Sequence, residues 1–295
     1  MNPLACLTLL LASLFALHAA EAPKPAPSEK DWPEPARVIR LWPGQAPGRV
    51  TPTQPEGIID QRIKFVSDPE LWVYPPAKTG QHRTALIICP GGGYAHLAMG
   101  LHVGKVLDVM HARDIVVFAL KYRTKYGAND AAADAAADCA RAVRLVRQRA
   151  GEWGAHPARV GVQGYSAGSN VCLNLLVRNP AGDPAAADPV ERISGRPDFA
   201  AMMCLWPNGK PASAYPIYQD PPPVFLASAR DDAIAPSAFS LEIAAALKKQ
   251  GGAVETFLVP NGGHGAFHYG KASGPGAQWP DTFFAWLAKC GLLAK

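Results

Sequence analysis

Along the chain, continuous apolar runs alternate with segments whose apolar positions recur every three to four residues, a pattern that predicts strands and helices in turn. Residues 84–90 (TALIICP), 114–122 (DIVVFALKY) and 159–165 (RVGVQGY) read as strands buried on both faces. Residues 198–207, 223–229 and 254–260 supply three later strands. The shorter runs 59–66 and 71–76 read as early antiparallel strands. Between the second and third buried runs, residues 128–154 predict a long amphipathic helix, with apolar positions at Ala140, Val143, Leu145 and Val146 among many alanines. A helix over 236–252 carries a start signal at Ser237 and a stop at Gly251, and residues 281–291 close the chain as another. Repeated strand-then-helix units predict an α/β fold: a mostly parallel central sheet with helices on both faces, a three-layer α/β/α sandwich. No internal repeat appears, and no second domain is needed.

The N-terminus breaks this pattern. Residues 3–20 hold no charged side chain and end in small residues, a run too short and too early for a convincing membrane span. They predict a signal peptide over residues 1–22, cleaved among Ala19, Ala20 and Ala22, with an uncleaved anchor as the rival reading. Residues 23–36 are proline-rich and read as an extended linker, which assigns 37–295 to the domain and the protein to a secreted or periplasmic location. Beyond the leader, Cys89, Cys139, Cys172, Cys204 and Cys290 are odd in number and match no zinc spacing. A dense disulfide framework is excluded; buried free thiols with at most one bridge are expected. The composition, 48% hydrophobic and 18% charged, suits one large soluble core. The net charge of +5 is spread without a Lys/Arg-rich run, so neither nucleic acid nor a stable membrane partner is expected.

Candidate chemistry concentrates at three glycine-rich junctions. In GYSAG, Ser166 sits between Gly164 and Gly168, after a strand and before a helix. G-x-S-x-G in that setting is a nucleophile elbow, whose glycines let strand and helix approach without side-chain collision. The Ala167 N–H then lies at a helix N-terminus, where the field favours an oxyanion. A serine hydroxyl needs a base. His264, in the loop NGGHGAF directly after the last strand, is favoured over nearby His268. The acid that orients that imidazole is sought in RDDAIAP, where Asp231 is preferred to Asp232 as the first carboxylate past its strand. The order Ser166, Asp231, His264 is that of the α/β-hydrolases. Gly91, Gly92 and Gly93 follow the first buried strand, and the N–H groups of Gly92 or Gly93 are expected to complete an oxyanion hole with Ala167. H-E-x-x-H, Walker and dinucleotide-binding patterns are absent, so neither a metal nor an organic cofactor is required.

The stretches VIRLWPGQAPG, CPGGGYAHLA, FALKYR, GYSAGSN, SGRPDFAAMMCLWP and GGHGAF resemble the bacterial secreted xylan esterases of the α/β-hydrolase superfamily, of acetyl xylan and feruloyl esterase type. The resemblance runs from about Val38 to the C-terminus. It implies an α/β-hydrolase fold and a serine carboxylic-ester hydrolase that works through an acyl-enzyme. More distantly, it implies acylated plant-type polysaccharides or their oligosaccharides as substrate. Tyr94, His96, Tyr165, Trp206 and Phe267 are then candidates for the pocket, as is His102, which with His96 follows the glycine loop. The chain departs from the pattern at Ser169–Asn170, where relatives often carry glycine and histidine, and at Cys204–Pro207, where Tyr-Pro is common; both places are expected to touch the acyl or sugar pocket. A peptidase of acylaminoacyl type and a non-catalytic carbohydrate-binding protein are the rival readings. The oligomeric state is left open.

Overall fold

Five apolar runs, residues 84–90, 114–122, 159–165, 198–207 and 223–229, have almost no face to offer water, so they stack side by side in one sheet, with the half-buried run 254–260 at its edge and helices laid over it. The computed structural model describes residues 32–78, 80–269 and 274–293; the predicted leader and most of the predicted linker lie outside them. Among the described residues the strands are β1 (Arg37–Arg40), β2 (Gly57–Ile59), β3 (Arg62–Lys64), β4 (Glu70–Tyr74), β5 (Arg83–Cys89) and β6 (His96–Leu97). They continue as β7 (Val116–Lys121), β8 (Ala155–Tyr165), β9 (Phe199–Met203), β10 (Val224–Ala229) and β11 (Val254–Val259). The α-helices are α1 (Leu107–His111), α2 (Ala131–Gln148), α3 (Ala167–Arg178), α4 (Ser237–Lys249) and α5 (Trp279–Lys289).

The large sheet runs β1-β4-β7-β5-β8-β9-β10-β11. From β7 to β11 every pairing is parallel, while β1 and β4 are antiparallel additions at one edge. Every residue of β5, β7, β9 and β10 is buried. The chain steps from β5 outward to β7, then crosses back over β5 to β8 and moves steadily the other way. Right-handed crossovers in opposite directions place α1 on one face and α2, α3 and α4 on the other. α5 returns to the α1 face, where Arg113 stacks 4.9 Å from the Phe284 ring and lies 3.7 Å from Asp281. The reversal between β5 and β8 opens a crevice at their C-terminal ends, the place where such sheets bind ligands. This is the α/β-hydrolase fold, with the predicted helices on both faces.

Three local expectations are corrected. Residues 59–66 are not one strand: Asp60 and Gln61 both take positive φ (51° and 59°) and turn the chain into a β2–β3 hairpin, which joins β6 in a separate three-stranded sheet. The long helix ends at Gln148, and residues 150–153 tighten into a 3₁₀ turn closed by Gly154 at φ 63°. β1 escaped the pattern because its residues are mostly exposed. Trp32 is buried, Tyr74 Oη donates to the Pro33 carbonyl (3.1 Å) and the Ala36 amide to Val73 O (2.9 Å), so residues 32–36 lie along β4. All five described cysteines are free; Cys89 and Cys139 place their sulfurs 3.7 Å apart. No helix among the described residues is long and apolar enough to cross a membrane.

Candidate active site

β8 must reverse into α3 within one residue, and that residue is Ser166, at φ 54° and ψ −118°. Such a conformation is strained for any side chain that carries a Cβ and survives only where the surroundings over-determine it. They do so here. A Cβ at Gly164 would lie 2.1 Å from the Gly168 carbonyl, and one at Gly168 would lie 1.9 Å from Cys89 O. Both glycines are therefore required by close packing of β8, α3 and the end of β5. Ser166 N donates to Met203 O (2.9 Å), tying the elbow to β9. Ser169, expected near the pocket, is instead fully buried, and its hydroxyl reaches Gly164 O (2.7 Å) and Met203 O (2.8 Å). It holds the turn from behind.

Ser166 Oγ lies 2.9 Å from His264 Nε2, and His264 Nδ1 lies 2.8 Å from Asp232 Oδ2. The sequence preference for Asp231 is overturned. The turn after β10 directs Asp232 inward, where its carboxylate is fully buried and Oδ1 accepts the amides of Ile234 and Ala235 (both 2.9 Å). Asp231 points the other way and accepts the amides of Gly262 (3.1 Å) and Gly263 (2.8 Å), bracing the loop that carries His264. Burial works to raise the Asp232 carboxyl, but the hydrogen bonds from His264 and the two amides outweigh it and hold the group below its ordinary value. Cys204, at φ 48°, sits beneath this pair with Sγ 3.6 Å from Tyr165 Oη and 3.7 Å from His264 O. Its sulfur, Asp232 and His264 offer ligand atoms within 4.8 Å of one another. Burial keeps the thiol protonated, and the other two groups are hydrogen-bonded to each other, so the donor set fits a proton relay better than a metal cage.

The glycine loop after β5 lies against the elbow. A Cβ at Gly91 would fall 2.7 Å from Tyr165 O and 3.2 Å from Ser166 Cβ, and one at Gly92 (φ 141°) would fall 2.1 Å from His96 O. Tyr122 Oη donates to Pro90 O (2.5 Å), and the Gly91 amide donates to His102 Nδ1 (3.0 Å). The loop is therefore pinned at two consecutive residues, Pro90 and Gly91, immediately before the Gly92 and Gly93 amides that are expected, with that of Ala167, to receive an oxyanion.

Three of the proposed pocket residues are packing groups. Tyr94 is buried, with Oη donating to Asn170 Oδ1 (2.9 Å). Tyr165 is buried against both His102 (rings stacked, 4.3 Å) and His268 (4.6 Å), and its hydroxyl donates to His264 O. Phe267 is buried against Phe257. His96 and Trp206 remain partly exposed, Trp206 with its ring 6.1 Å from that of Tyr94. Asn170 is fully buried; its amide donates to Trp206 O (3.0 Å) and Tyr215 Oη (2.9 Å), so it shapes the surroundings through its neighbours. His102, expected with His96 to line the pocket, is instead buried and turned to the Gly91 amide, eleven positions away across a turn.

Fold, elbow and relay together define an α/β-hydrolase fold with Ser166, His264 and Asp232 in one hydrogen-bonded line. Residues 71–180 match the BD-FAE family model. The chain is similar to an acetylxylan esterase of Xylanibacter ruminicola (24% identity over 215 residues, 61% of this chain and 40% of that protein). It is also similar to an endo-1,4-β-xylanase B of Butyrivibrio fibrisolvens (25% over 211 residues, 62% of this chain and 32% of that protein). It thus spans well under half the length of either relative. Among solved structures it resembles an acetyl ester-xyloside bifunctional hydrolase from Caldicellulosiruptor lactoaceticus (TM-score 0.73, 26% identity, 88% of this chain and 98% of that one). Esterase 2 of Thermogutta terrifontis, solved with propionate bound, shares the fold (TM-score 0.65, 24% identity, 86% and 98% covered).

Proposed function

We propose that the protein is a secreted or periplasmic serine carboxylic-ester hydrolase that removes acyl groups, acetyl above all, from xylan-type polysaccharides or their oligosaccharides. The observation that carries the reading is the unbroken pair of contacts from Ser166 Oγ to His264 Nε2 (2.9 Å) and from His264 Nδ1 to Asp232 (2.8 Å). Ser166 attacks the ester carbonyl while His264 takes its proton. Asp232 fixes the Nδ1–H tautomer and stabilises the imidazolium. The tetrahedral oxyanion is received by the amides of Ala167 and the Gly92–Gly93 loop. His264 then protonates the leaving alkoxide and activates water to release the acyl group. Ser166 and His264 are both partly exposed, which suits a bulky sugar ester, and the relatives whose names specify acetylxylan and acetyl ester-xyloside support the substrate class. Acetate release from acetylated xylo-oligosaccharides tests it. Wild-type protein is expected to release acetate and Ser166→Ala to lose the activity; equal release by both proteins, or none by either, would overturn the reading.

A further inference from the structure

His102 stands on a π-helical turn, Gly100–Gly104, just before α1, and π turns of this kind recur at functional sites. Its ring is buried and stacked on Tyr165, the residue preceding the elbow serine. Its Nδ1 accepts the Gly91 amide at 3.0 Å, and its Nε2 lies 3.3 Å from His268 Nε2. An amide N–H can only donate, so Nδ1 carries no proton. The ring proton is therefore on Nε2 and is directed at His268. Gly91 is the wedge between this ring and the nucleophile: a Cβ there would lie 3.1 Å from His102 Cε1 and 3.2 Å from Ser166 Cβ. Protonating Nδ1 would break the bond to the loop, and burial together with the neighbouring His268 and His264 opposes that charge.

We propose that His102, as a neutral Nε2–H imidazole, is a positioning residue for the oxyanion hole: by capturing the Gly91 amide it fixes the loop so that the next amides face the carbonyl under attack by Ser166. This rests on the esterase reading above. The bond removed by mutation is made before and during the reaction, but its value lies in where it leaves the Gly92 and Gly93 donors, which act on charge present only in the transition state. Its loss therefore lowers kcat rather than raising KM.

Two substitutions separate the hydrogen bond from the stack. His102→Asn keeps an acceptor on the same carbon as Nδ1 and loses the ring, whereas His102→Phe keeps the ring and loses the acceptor. With p-nitrophenyl acetate, His102→Phe is expected to lower kcat about a hundredfold with KM changed by less than about threefold, and His102→Asn to recover at least about tenfold of that loss. Equal rates in the two variants, or a Phe variant faster than the Asn variant, would overturn the proposal. A second measurement needs neither folding of a variant nor turnover. In ¹⁵N-histidine NMR of the wild-type protein at neutral pH, His102 should show an unprotonated Nδ1 and a protonated Nε2, and the Gly91 amide should be protected from exchange. A protonated Nδ1 would refute the assignment outright. Inactive wild-type protein, or a Ser166→Ala variant as fast as wild type, would instead refute the esterase reading, with the NMR result still judging His102.

Discussion

At the scale of the residue, function turns on which of two adjacent carboxylates faces the imidazole. Asp232 meets His264 Nδ1, and Asp231 braces the backbone of the loop at Gly262 and Gly263. Asp232→Asn should therefore lower kcat by about a thousandfold or more, since the orienting acceptor is lost, whereas Asp231→Asn should cost less than about tenfold. Steady-state kinetics of the pair decide it, and a reversed ranking would return the role to Asp231. The local sequence could not separate them, because a shift of one residue in where β10 ends exchanges the two. The signal present in RDDAIAP was the turn: an aspartate accepting the amides two and three residues on, at Ile234 and Ala235, folds back towards the sheet. For His102 the sequence pointed to the pocket but not to its hydrogen bond, which depends on Gly91, brought close only by the intervening loop. Both His102 and Asp232 are held below their ordinary values, so the folded protein binds fewer protons than the unfolded chain as pH falls, and stability declines with acidification. The His102 contribution is lost first, below its ordinary value of 6.5, and that of Asp232 only below 3.8. Urea midpoints should therefore fall between pH 7.5 and 5.5, more steeply in wild type than in His102→Phe; identical slopes would contradict the buried neutral ring.

At the scale of the element, the strained serine is a consequence of three segments crowding together. β8 enters, α3 leaves, and the end of β5 presses on Gly168 from the side. Because the obstacle at Gly168 is the Cys89 carbonyl and not a movable side chain, Gly168→Ala should destabilise the protein by about 3 kcal/mol. Chemical denaturation measures this, and an unchanged midpoint would mean that the elbow is less tightly packed than described. This element was legible in the sequence because glycine spacing records close approach directly. The β2–β3 hairpin was not: its turn falls in the short polar run Asp60–Arg62, which has no glycine or proline to mark it, and the positive φ of Asp60 and Gln61 shows only in the structure. Nor was the tie between α2 and the segment just after β7, where Arg123 grips Asp138 with two hydrogen bonds of 2.9 Å, both side chains fully buried. Pattern reading assigns such residues to solvent, and only the paired geometry reverses that.

At the scale of the whole molecule, the fold sets four separated pieces of chain around one crevice: the loop after β5, the elbow after β8, the turn after β10 and the loop after β11. The alternation of apolar runs with helical segments was enough to predict the sheet, since buried parallel strands have an unmistakable composition. It could not predict which loop residues would meet, since that follows from the order β5-β8-β9-β10-β11 and from the reversal beside β5. That arrangement brings Ser166 to a histidine 98 residues further along the chain. Activation of the Ser166 hydroxyl by this histidine is read directly by a covalent probe. Wild-type protein treated with a dialkyl fluorophosphate should gain the mass of a single dialkylphosphoryl group, found on the peptide bearing Ser166, with loss of p-nitrophenyl acetate hydrolysis in proportion, and His264→Ala should remain unlabelled. Labelling spread over other residues, or equal labelling of wild type and His264→Ala, would contradict it.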